Sequence, residues 1–268
     1  MTMSTPITWV DAFTDLPFAG NPAAVCVLAE PLPDATMQSL AFELGIAETA
    51  YVTPTGDPHT FGLRWFSPAT EIDLCGHATL ASAHALRQSG LVDGSAALTF
   101  HTRSGPLMAS FDGDRISLDF PTDPITDSPL PDVLAGQWPG DQVVHTGHTG
   151  FFTFVALSTA TAVRHYRPDL GAIAAEGSKA LLLTAPADEG TGDDYVLRVF
   201  APNVGIDEDP ATGSAQCSAG PYWAATLGRS ELRARQLSAR GAELHVRPVG
   251  DRVHIAGHAT TVLAGHLC

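Results

Sequence analysis

Ile116, Leu118 and Phe120 alternate with Ser117 and Asp119, the two-residue period of a strand with one face buried. Runs of β-branched and apolar residues between turn signals predict further strands at 7–13, 23–28, 98–102 and 107–111. In the second half the same style recurs at 151–157, 180–184, 195–200, 244–247, 253–255 and 261–264. Asp112-Gly113 and Gly250-Asp251 suit antiparallel hairpins. Helical spacing is rarer. Asp34 can cap a helix with Met37, Leu40, Ala41 and Leu44 on one face and Gly45 at its end. From Ala78 the run ATLASAHALRQSG is small or apolar nearly all round, which is the mark of a helix enclosed by other elements. A counterpart begins near Thr212, and Gly220-Pro221 is expected to kink or restart it before 222–227.

One segment occurs twice. LRWFSPATEID (63–73) and LRVFAPNVGID (197–207) match at six of eleven positions with a constant offset of 134, where chance at ordinary residue frequencies gives roughly one match. Each copy runs into small residues, LCGHATLASAHAL from Leu74 and EDPATGSAQCSAG from Glu208. A repeat of this length implies a duplicated unit. The five prolines of 121–139 make the natural linker. The expected organisation is therefore an N-terminal half, 1–122, and a C-terminal half, 123–268, whose last strand can return to the first. Each half reads as antiparallel strands wrapped around one buried helix, an α+β fold. Two such halves facing each other would put matching groups on opposite sides of one cleft, as suits handling a proton on a small molecule.

Composition narrows the partners. Of 268 residues, 44% are apolar and 16% charged, enough apolar material for real cores. A net charge of −15 with no local basic cluster disfavours nucleic acid and anionic membranes. Cys26, Cys75, Cys217 and Cys268 are scattered without a CxxC pair, so neither a disulfide framework nor zinc-finger spacing is present. No secretory leader is visible and the apolar runs are too short to cross a bilayer. A reduced cytoplasmic setting is expected.

Candidate chemistry gathers at the two helix starts. Free N–H groups and the helix dipole favour an anion there; Gly76 precedes one start, and Gly213 with Ser214 lies at the other. The glycines equally permit close packing. Asp209-Pro210 reads either as an N-cap with proline at the first helical position or, crowded by Asp207 and Glu208, as a proton carrier. At the 134 offset Asp209 corresponds to Cys75. Cys75 is either a low-pKa thiolate or a small buried hydrophobe, and His77 beside it could bond a ligand. Glu48 enters an apolar strand in IAETAYV, where its pKa would rise and suit acid–base work, or it is an ordinary turn residue. His145 and His148 have ligand-like spacing without further ligands and read as loop residues, so no metal is expected.

Five segments together resemble the phenazine-biosynthesis PhzF-like family, relatives of the diaminopimelate epimerase fold. They are VDAFTDLPFAGNPAAV (10–25), AETAYV (47–52), LRWFSPATEIDLCGHATLASAHAL (63–86), LRVFAPNVGIDEDPATGSA (197–215) and RQLSARGAEL (235–244). The resemblance implies two pseudo-symmetric domains, each a barrel-like sheet around a central helix, with the active site between them and homodimers common. It implies that Glu48 is the acid/base glutamate, His77 the active-site histidine, and Asp209 and Ser214 the polar pair of DPATGS, with Gly213 giving backbone N–H to a substrate carboxylate. The chain has GHAT where many members have GHPT. It carries Cys75 where related epimerases have one of two catalytic cysteines, but Asp209-Pro210 occupies the region of the second. The expected activity is a cofactor-independent isomerase shifting a proton on a small carboxylate-bearing metabolite. The competing readings are a cysteine-dependent amino-acid epimerase or racemase and a non-catalytic ligand-binding relative.

Overall fold

The computed structural model describes residues 5–267. Up to residue 121 the elements are β1 (Thr5–Ala12), β2 (Asn21–Val27), α1 (Asp34–Leu44), β3 (Glu48–Pro54), β4 (Thr60–Phe66), β5 (Glu71–Ile72), α2 (Gly76–Gln88), β6 (Leu98–Thr102), β7 (Gly105–Asp112) and β8 (Arg115–Pro121). Next come β9 (Thr126–Asp127), β10 (Val143–His148), β11 (Phe152–Leu157), α3 (Ala160–His165), α4 (Leu170–Ala175), β12 (Ala180–Pro186), β13 (Tyr195–Ala201) and β14 (Ile206–Asp209). The chain closes with α5 (Gln216–Leu227), β15 (Leu232–Gln236), β16 (Ala242–Val249), β17 (Arg252–Gly257) and β18 (Ala259–Leu267). Two compact units result: the described residues up to Asp119 with those from Ala256 onward, and Phe120–Ile255.

In the first unit β1 pairs antiparallel with both β18 and β2. Strand β2 runs parallel to β3, with α1 as the crossover a parallel pair requires. Strand β3 is antiparallel to β4, β4 is parallel to β6 across α2, and β6, β7 and β8 form hairpins. Helix α2 packs against β1, β2, β3, β7 and β18. Its alanines, serine and threonine bury almost every side of it, as the all-round small-residue pattern requires. At the β1–β2 turn, Gly20 has φ +62°, and a Cβ there would stand 2.1 Å from the Ala12 carbonyl oxygen; only glycine fits this position.

The second unit follows the same succession. Strand β10 is antiparallel to β9 and β11, β11 parallel to β12, β12 antiparallel to β13, β13 parallel to β15, and β15 antiparallel to β16. Helices α3 and α4 lie between β11 and β12, and α5 between β13 and β15. The core of β11, β12 and β13 includes Val155, Leu157, Leu181, Leu183, Val196 and Phe200.

Several sequence expectations change. Helix α5 is continuous, with Pro221 inside it. Proline cannot donate to the Cys217 carbonyl, and the Asp123 N–H takes that bond instead at 3.1 Å. Asp34 is the first residue of α1, not its cap; Pro33 precedes it and the Asp34 carboxylate binds Arg64 at 2.8 Å. His145 and His148 lie in β10, not in a loop, because their backbone pairs with β11 and β9. Helices α3 and α4, six residues each, have too little length for a periodic signal. They are held by Thr159 and Asp169, whose side chains accept from Ala162 N and Ala172 N.

Candidate active site

Glu48 is the first residue of β3, opposite Ala23 of β2, and is 6% exposed. Cys75 holds the N-cap position of α2 in extended conformation, and His77 sits one residue inside the helix. The fold thus brings residue 48 against residues 75 and 77. Oε2 of Glu48 lies 2.9 Å from Nε2 of His77. Sγ of Cys75 is 3.5 Å from Nδ1 and 4.0 Å from Nε2 of the same ring. The imidazole edge therefore faces a thiol and a carboxylate at once, and all three residues are buried.

Electrostatics sets the charges. For His77, burial is the strongest single influence and lowers the pKa, but Cys75 and Glu48 together outweigh it and hold His77 well above its usual value. Burial pushes the Cys75 thiol up, with Glu48 adding to it and His77 opposing. Of the two readings of Cys75, the buried neutral thiol fits, and the low-pKa thiolate does not.

In the second unit Asp209 ends β14 and does not cap a helix; α5 begins only after a turn through Gly213, Ser214 and Ala215. Its Oδ2 accepts from Thr212 Oγ1 at 2.7 Å. Behind this loop stands Gln236, fully buried. Its amide donates to the Asp209 carbonyl at 2.7 Å and to Thr212 Oγ1 at 3.0 Å, while its carbonyl accepts from Thr212 N at 2.7 Å. Ser238 adds a bond to the Pro210 carbonyl at 2.7 Å. Gln236 was not singled out from the sequence, yet a signal existed. Leu232, Ala234 and Gln236 share the buried face of β15 by strand alternation, so Gln236 is a polar residue at an apolar position.

The repeat also changes register at the helix starts. Arg64 grips Glu71 through Nε and one terminal nitrogen, at 2.7 and 2.8 Å, and Arg198 grips Glu208 in the same way at 2.7 and 2.9 Å. Thr79 Oγ1 donates to the Cys75 carbonyl at 2.6 Å, and Gln216 Nε2 to the Thr212 carbonyl at 3.3 Å. Cys75 thus corresponds to Thr212, and His77 to Ser214, rather than Cys75 to Asp209; three extra residues enter after β13. The thiol's counterpart is a threonine, so the second thiol of a two-cysteine mechanism is missing from this position. Gly213 is buried and Ser214 exposed, while Gly76 opens α2. Neither α2 nor α5 has a side-chain cap bond at its start. A surface cavity of about 430 Å³ beside Trp138, Tyr166, Arg167 and Asp169 contains none of these residues and is a separate feature.

Known proteins resemble this chain in sequence and in fold. The sequence pattern of the family described as phenazine biosynthesis-like protein (PhzC-PhzF) matches residues 10–265. An uncharacterized isomerase of Halalkalibacterium halodurans is 41% identical over 266 residues, covering 99% of each chain. The crystal structure of a phenazine biosynthesis protein of the PhzF family from Enterococcus faecalis superposes with a TM-score of 0.93 at 37% identity, covering 99% of this chain and 100% of that one. A structure from Pseudomonas aeruginosa described as a predicted epimerase gives a TM-score of 0.73 at 25% identity, covering 98% of this chain and 99% of that one.

Proposed function

The chain belongs to the phenazine biosynthesis-like PhzC-PhzF family, and we propose that it is an isomerase that moves a proton between two carbons of a small carboxylate-bearing metabolite without a cofactor. The buried contact between Glu48 and His77 carries this reading. A carboxylate shielded from water, with one oxygen lacking an aligned hydrogen bond among the described residues, is equipped to accept a proton from carbon and return it elsewhere. His77, its pKa raised, supplies the positive partner that holds the carboxylate in place. The α2 start at Gly76, which no side chain caps, offers N–H groups to a substrate carboxylate and to charge developing next to it. In the second unit Gly213 and Ser214, in the turn ahead of α5, are the candidates for the same kind of contact. Asp209, fixed by Thr212 and Gln236, is the second unit's candidate for holding a polar group of a substrate.

The names of the isomerase relatives and the two matching patterns of strand pairing support this reading, including descent of the two units from one duplicated ancestor. A homodimer working in the cytoplasm is part of the same proposal. The test is solvent hydrogen exchange. Wild-type protein should incorporate deuterium from D₂O into a metabolite it turns over, and Glu48→Gln should slow that incorporation by about 10²–10⁴-fold, the usual worth of a general base. Exchange at the wild-type rate in Glu48→Gln removes Glu48 from the role.

A further inference from the structure

Glu48, Cys75 and His77 each bring one donor atom to a common point, with all three atoms within 4.8 Å of one another and all three residues buried. From Nε2 of His77 the carboxylate oxygen is 2.9 Å away and the sulfur 4.0 Å. Around a tetrahedral ion with metal–sulfur distances of about 2.3 Å and metal–nitrogen or –oxygen distances of about 2.0–2.1 Å, neighbouring donors are about 3.3–3.6 Å apart. The observed separations bracket that value, so small side-chain rotations would bring the donors to it. A second observation points the same way. Oε2 of Glu48, in a residue only 6% exposed, has the charged neighbour His77 Nε2 at 2.9 Å but no aligned hydrogen bond among the described residues, which leaves a lone pair of that oxygen for a further partner.

The donor set is selective. A thiolate with an imidazole favours zinc-type ions over magnesium or calcium, which prefer oxygen alone. Three protein donors with a fourth position left over is the pattern of an open site rather than a closed structural one. We propose that Glu48, Cys75 and His77 form a three-donor site for a divalent transition-metal ion of the zinc type, its fourth position open to water or an organic carboxylate. On binding, the thiol and the imidazolium each release a proton to solvent, metal–sulfur and metal–nitrogen bonds form, and no oxidation state changes. Occupancy would engage the proposed base, so such ions should inhibit proton transfer; that consequence rests on the isomerase reading, whereas occupancy itself does not.

The experiment is titration of the reduced, metal-stripped protein with Co²⁺. The expected result is saturation at one equivalent, with visible bands of tetrahedral strength and a near-ultraviolet thiolate-to-cobalt band, all displaced by Zn²⁺. Cys75→Ser should abolish the near-ultraviolet band, and Cys26→Ser should leave it intact. Glu48→Gln and His77→Asn should each weaken Co²⁺ by more than the about 100-fold that loss of an outer-sphere partner costs. X-ray absorption of the zinc-loaded wild-type protein needs no variant and should count one sulfur with nitrogen or oxygen neighbours. Absence of a saturable cobalt spectrum, survival of the near-ultraviolet band in Cys75→Ser, or a sulfur count other than one overturns the proposal.

Discussion

Nε2 of His77 stands 2.9 Å from Oε2 of Glu48, and both side chains are withdrawn from solvent. The contact makes the protonation of His77 a term in stability. Folded His77 holds its proton well above the usual value, whereas an unfolded histidine releases it near pH 6.5. A raised folded pKa stabilises fully below the unfolded pKa, and the gain is lost as pH rises through the folded one. The stability difference between wild type and His77→Asn should therefore be largest below about pH 6.5 and shrink steadily above it. Urea midpoints measured across the pH range decide this, and a difference independent of pH contradicts the ion pair.

Gln236 should matter to the other unit as a scaffold. Replacing it by alanine removes the acceptor of the Thr212 N–H and a donor to the Asp209 carbonyl, both tied to it at 2.7 Å. Each buried group left unpaired costs about 1–3 kcal/mol, so Gln236→Ala should lose about 2–5 kcal/mol of unfolding free energy. Gln236→Glu keeps the acceptor toward Thr212 N but not the donor toward Asp209, and should fall between the two. Equal stability of wild type and Gln236→Ala would show that the 209–212 loop holds its shape without this side chain.

The sequence made much of this legible, for physical reasons. Period-two runs such as Ile116–Leu118–Phe120 and the small-residue run of α2 each carry one dominant signal, and the strands and central helix fall where expected. Strand β3 was visible only as apolar context around Glu48, because a buried strand of a parallel pair lacks alternation, and β4 was noticed only through the repeat. Where one residue must satisfy competing demands, pattern reading failed. Asp34 serves Arg64 rather than its own helix, and Pro221 stays helical because Asp123 supplies the missing donor. The repeat identified the correct neighbourhood for the second helix start, but a fixed offset could not register the residues inserted after Phe200. Spacing alone could not join Glu48 to Cys75 and His77 either, since only the β2–β3–β4 pairing puts them side by side.

The two repeat arginines look interchangeable in sequence but should not be so in energy. Arg198 is 11% exposed in its side chain, while Arg64 is 33% exposed. Besides Glu208, Arg198 donates to the Tyr166 carbonyl at 2.8 Å and to the Val163 carbonyl at 3.3 Å, closing the end of α3. Removing it leaves Glu208 and the Tyr166 carbonyl without this partner. For a partly buried pair the loss should lie between about 1 kcal/mol, as for an exposed pair, and about 3–5 kcal/mol, as for a buried one. Arg64 is nearer solvent and its loss should cost about 1 kcal/mol. Calorimetry of Arg198→Met and Arg64→Met should rank them in that order; the reverse order would mean that the α3 carbonyls are satisfied without Arg198.

Cys75 separates proton transfer by a carboxylate from proton transfer by a thiol. Burial keeps its pKa raised, so at neutral pH it is a poor nucleophile and a poor base. Its counterpart across the repeat is Thr212, which leaves a thiol pathway without a second thiol. Serine conserves the size and a polar hydrogen toward His77 but cannot act as a thiolate. Deuterium incorporation into a turned-over metabolite should therefore fall by less than about 10-fold in Cys75→Ser, against about 10²–10⁴-fold for loss of a true acid or base. The measurement needs both variants side by side. If Cys75→Ser suffers the larger loss and Glu48→Gln the smaller, the proton moves through sulfur and the carboxylate only positions His77.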